Sequence, residues 1–72
     1  MFDTIKFGAY IAAKRIESNM TQAELAKKVN LTRQSISKYE TGVCFPDITI
    51  IISFAEIFNI TIDELIKSGI PP

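Results

Sequence analysis

A chain of 72 residues has room for one domain and one small core, since only about 60% of the unfolded surface is buried at this size. Apolar residues make up 47%, with three Gly and three Pro, which argues for a folded domain and against disorder except at the ends. Eight Lys and Arg balance eight Asp and Glu, His is absent and Cys44 is the only cysteine, so an internal disulfide, a Cys/His metal set and an argument for nucleic acid from net charge all fall away.

The first predicted helix runs from about Thr4 to Ser18, with Ile5, Ala9, Ala12 and Ile16 on one apolar stripe and Phe7 and Ile11 beside it. Gly8 reads as a slight weakness in that helix. Thr21-Gln22-Ala23-Glu24 is a capping box, so a second helix starts there and buries Leu25, Ala26 and Val29. Asn30 tolerates the left-handed conformation that ends a helix. Thr32 is the next N-cap, and Ile36 and Tyr39 give the apolar side of a third helix that ends at Gly42.

Pro46 and Asp47 open a fourth helix that ends near Asn59, and Thr61-Ile62-Asp63-Glu64 is a second capping box for a fifth, which ends before Gly69 and Pro71. Propensity argues the other way over Ile48-Thr49-Ile50, where β-branched residues alternate as in a strand. The spacing of Ile48, Ile51, Ala55 and Phe58 over about three turns, with no partner strand in view, favours helix.

Charge is unevenly spread. Residues 1 to 39 carry seven basic against three acidic side chains, and residues 40 to 72 one against five. The reading is either a basic face on a neutral protein or ordinary solvated helices. Between Gln22 and Glu40, small Ala26 lies between apolar Leu25 and Val29, followed by a turn residue and then Leu31 and Ile36. That pattern lets two short helices cross closely through a tight turn and hold the second one outward.

The chain resembles the phage-repressor, or Cro-like, helix-turn-helix family over about residues 7 to 67. The resemblance rests on Arg15, Met20-Thr21-Gln22-Ala23-Glu24-Leu25-Ala26, Ser35-Ile36-Ser37-Lys38-Tyr39-Glu40-Thr41-Gly42, Pro46-Asp47 and Ile60-Thr61-Ile62-Asp63-Glu64-Leu65. It implies an all-α, compact five-helix, lambda-repressor-like domain that binds double-stranded DNA and regulates transcription, as a repressor.

Carried over by position, Arg33, Gln34, Ser37 and Lys38 are the expected base contacts. Arg suits guanine O6 and N7, Gln suits adenine N6 and N7, and Lys serves guanine or phosphate. Gln22, Thr21, Ser35 and Thr41 are the expected phosphate contacts, which set register rather than sequence. Arg15 and Glu40 are expected to form a structural ion pair, with Arg15 as a phosphate contact the rival reading. Lys14, Asn30 and the non-basic loop Val43-Cys44-Phe45 depart from the family pattern, and Cys44 reads as a small apolar loop residue.

Nine of thirteen isoleucines lie from Ile48 onward. Either they complete a small core, or Ile57, Ile60, Ile62 and Ile66 form an isologous homodimer interface. Catalysis has no candidate residues, and no cofactor, metal or small-molecule substrate is evident. The expectation is a soluble, cytoplasmic protein without membrane segments. The competing function is a protein-interaction module, such as an antitoxin-like partner-binding domain, against which Arg33 and Lys38 argue.

Overall fold

The computed structural model describes all 72 residues as five helices without strands: α1 (Thr4–Glu17), α2 (Gln22–Lys28), α3 (Arg33–Glu40), α4 (Ile48–Phe58) and α5 (Ile62–Lys67). Each helix begins where a short polar side chain caps an otherwise unpaired backbone N–H. Asp3 accepts from Lys6, Thr21 from Glu24, Thr32 from Ser35, Asp47 from Ile50 and Thr61 from Glu64. At α2 the full capping box closes, since Glu24 accepts in return from the Thr21 N–H at 2.8 Å. At α5 only the threonine half of the expected box forms, and the Glu64 side chain stays exposed in water.

Asparagine closes three of the turns. Asn19, Asn30 and Asn59 adopt φ of 58°, 58° and 54°. The following N–H groups of Met20, Leu31 and Ile60 return to the carbonyls of Arg15, Ala26 and Ala55 at 3.1, 2.8 and 3.0 Å, the reversal that satisfies the last carbonyls of a helix. The third helix stops at Glu40, two residues before the expected Gly42. Gly42 itself takes φ 79° in the turn that follows.

The core gathers Phe7 and Ile11 from α1, Leu25, Ala26 and Val29 around α2, Ile36 from α3, Ile51, Phe54 and Ala55 from α4, and Leu65 from α5. The apolar stripe expected on α1 is therefore the wrong one: Ile5 is 68% and Ile16 64% exposed, whereas Phe7, Gly8 and Ile11 are buried. Apolar residues surround much of α1, so periodicity does not choose its inner side. Gly8 does. A Cβ there would lie 2.3 Å from the Tyr39 carbonyl oxygen and 2.6 Å from that of Glu40, so only glycine lets α1 press against the end of α3. Phe7 then meets Phe2 and Phe45 in tilted ring contacts, at centroid distances of 5.7 and 4.9 Å.

On α4 the inner face is Ile51, Phe54 and Ala55 with Phe58 half-buried, while Ile48, expected to share that face, is 59% exposed. The large Phe54 ring occupies the centre of the contact and turns the face toward itself, leaving Ile48 at its border in the first helical turn.

Candidate nucleic-acid interface

Helices α2 and α3 form a helix-turn-helix whose connection is four residues long, Val29 to Thr32. Asn30 reverses the chain, Leu31 packs against the core, and Thr32 caps the next helix. Buried Ala26 leaves room for the crossing and buried Ile36 anchors α3 from beneath. Tyr39 holds the far end through an edge-on contact with Phe54, centroids 6.3 Å apart, and burial raises its phenol pKa above the ordinary tyrosine value. The pair is thus a rigid mount for the outer face of α3.

That face brings Arg33, Gln34 and Lys38 together in solvent, with Ser37 half-buried at its edge. Arg33 and Lys38 take no part in the molecule's three side-chain ion pairs, so both cations are open to an external acceptor. Arg33, Gln34 and Lys38, at i, i+1 and i+5, share one broad side of the helix, opposite Ile36.

The other expected contacts are more occupied. Thr21 is exposed, but its hydroxyl already caps Glu24. The Thr21 backbone N–H, which donates to the Glu24 carboxylate, and after it the Thr21 side chain beside that carboxylate lower the Glu24 pKa. The Ser35 hydroxyl lies 3.1 Å from that of Thr32. Thr41 donates to the Ser37 carbonyl at 2.9 Å, keeping its oxygen lone pairs rather than its proton for other partners.

Gln22 is half-buried, and one N–H of its side-chain amide donates to Glu40 Oε1 at 3.0 Å. Glu40 in turn receives both edges of Arg15, Nε to Oε2 at 2.7 Å and Nη2 to Oε1 at 3.1 Å. The third arm of the guanidinium, Nη1, donates to the Met20 carbonyl at 2.9 Å. This two-point pair is shielded, with side-chain exposures of 14% and 5%, and the Glu40 hydrogen bond raises the Arg15 pKa. The link from Gln22 was not legible in the sequence, because it depends on α2's first residue meeting α3's last.

Of the residues expected at a dimer interface, Ile57, Ile60 and Ile66 are half-buried against the core, and only Ile62, at 41%, is largely open. Ile48 and Ile52, which the sequence reading did not assign to that surface, are more exposed than the first three. No cluster of three or more His, Cys, Asp or Glu side chains forms, and no helix is long and apolar enough to cross a membrane.

A helix-turn-helix family model matches residues 11–65. The chain is 32% identical over 63 residues to the HTH-type transcriptional activator BcrR of Enterococcus faecalis, covering 88% of this chain and 31% of that protein. It is 33% identical over 61 residues to the cryptic phage CTXphi transcriptional repressor RstR of Vibrio cholerae, covering 85% and 54%. The chain thus spans about a third and about half the length of these two relatives. Its fold is similar to the P22 c2 repressor solved in complex with a synthetic operator, with a TM-score of 0.81, 26% identity, and coverage of 86% of this chain and 94% of that one. The buried Ala26–Ile36 crossing, the reversed Asn30 and the matched span from α1 into α5 make this chain a member of the helix-turn-helix family, of the phage-repressor, Cro/C1 type.

Proposed function

We propose that the chain binds double-stranded DNA sequence-specifically and regulates transcription, with α3 laid in the major groove. The observation that carries this reading is the outer face of α3, where Arg33, Gln34 and Lys38 stand exposed on a helix fixed from below by Ile36. Arg33 and Gln34 read base edges, Lys38 reads guanine or holds phosphate, and Ser37 contributes at the edge of the helix. Gln22, Thr21, Ser35 and Thr41 hold the backbone and set the register. The protein acts as a repressor in the cytoplasm, without catalytic chemistry.

Two copies bind together through α4 and α5, with Ile62 and the open edges of Ile57, Ile60 and Ile66 forming an isologous contact. The test is selection of bound sequences from a random duplex pool, then titrations at several salt concentrations. The expected product is a near-palindrome with half-sites about one turn, ~34 Å, apart. Arg33→Ala relaxes one base preference by roughly 1 to 3 kcal/mol, whereas Gln22→Ala weakens all sequences alike. A pool that yields no enriched sequence at low salt ends this reading, and a strictly monomeric species in sedimentation, with and without operator, ends the dimer.

A further inference from the structure

We infer that Glu40 is a positioning residue for DNA binding: its carboxylate fixes the Gln22 side-chain amide so that the remaining N–H of that amide is held ready for a phosphate oxygen. This rests on the reading of Gln22 as a backbone contact given above. A carboxylate only accepts, so the Gln22 amide must turn its nitrogen toward Glu40, and the bond at 3.0 Å selects one of the two amide orientations. Of the two N–H groups on that nitrogen, one is spent on Glu40 and the other is left over.

An isolated carboxylate beside a phosphate backbone would repel it. Here Arg15 occupies both oxygens of Glu40, which leaves a neutral platform that still has lone pairs for Gln22. Arg15 is itself tied to the Met20 carbonyl at the entrance to α2, so α1, the start of α2 and the end of α3 meet at one set of charged hydrogen bonds. A glutamine in water samples many rotamers, and ordering it on binding has an entropic cost that a prior hydrogen bond removes.

The test is a double-mutant cycle on the full chain, with Gln22→Ala, Glu40→Gln and both together. Affinity for operator and for a random duplex is measured beside thermal stability. Glu40→Gln should weaken both duplexes by roughly tenfold, about as much as Gln22→Ala, and should add little once Gln22 is gone. A stabilising ion pair with no positioning role would instead lower stability while leaving the two changes multiplicative in affinity, and that result overturns the inference with DNA binding intact. Failure of the unaltered chain to bind any duplex removes the underlying reading, and this inference with it. Should Glu40→Gln not fold, nuclear magnetic resonance of the unaltered chain decides: Gln22 side-chain amide protons that exchange with water much more slowly than those of exposed Gln34 in free protein support the inference, and equal exchange overturns it.

Discussion

The first forty residues and the last thirty solve the same packing problem by different means. In α1 to α3, close approach is set by atoms with no tolerance: Gly8 against the Tyr39 and Glu40 carbonyls, Ala26 at the crossing, and a two-point Arg15–Glu40 pair. In α4 and α5 the contacts are broad and apolar, built from Ile51, Phe54, Ala55 and Leu65, with Ile48, Ile52 and Ile62 left in solvent. Positional accuracy is concentrated where α3 has to be aimed, and volume filling suffices where it does not.

The sharpest way to break that contrast is to add one carbon to the first region. Helix propensity alone favours Gly8→Ala by about 1 kcal/mol, but the new Cβ meets backbone rather than a movable side chain. The expected result is a net loss of about 2 to 3 kcal/mol in urea unfolding. Stabilisation would show that α1 has slack. In the second region Phe54→Leu alters several atoms of a fully buried side chain, yet should cost only about 1 to 1.5 kcal/mol by the same measurement. A greater loss than for Gly8→Ala would invert the contrast.

Smaller still is Ile48→Ala, which trims an exposed side chain and should stay within about 0.5 kcal/mol of the parent. A larger change, or one that depends on protein concentration, would mark Ile48 as covered in an assembly. The smallest effect is one of pH. Bonds from Thr49 and the Ile50 N–H hold the Asp47 pKa below its ordinary value. Stability gained from this cap is complete above the ordinary aspartate pKa and disappears as pH falls through the depressed one. Asp47→Asn should therefore be the less stable form at neutral pH, with the gap closing in acid. A gap unchanged across that range removes the charge from the cap.

Helix order was written in the sequence because short polar caps and asparagine stops punctuate it. Thr21, Thr32, Asp47 and Thr61 each lie where a helix begins, and Asn30 and Asn59 where one ends. The inner side of α1 was not legible, since Ile5 and Ile16 have the right spacing and the wrong surroundings. Gly8 looked like a weak point because its value lies in a neighbour 31 residues away in sequence. Arg15 and Glu40 came together in prospect only through family resemblance, and the bond from Gln22 needed three dimensions.

The asparagine turns also bear on how the protein ages. Deamidation proceeds when the backbone nitrogen after an asparagine attacks its side-chain carbonyl to form a cyclic imide. After Asn19, Asn30 and Asn59 that nitrogen belongs to Met20, Leu31 and Ile60, and each is already bound to a carbonyl across the helix end. The same reversal that stops each helix therefore withholds the nucleophile, so the folded chain is protected at these positions from a common form of chemical wear.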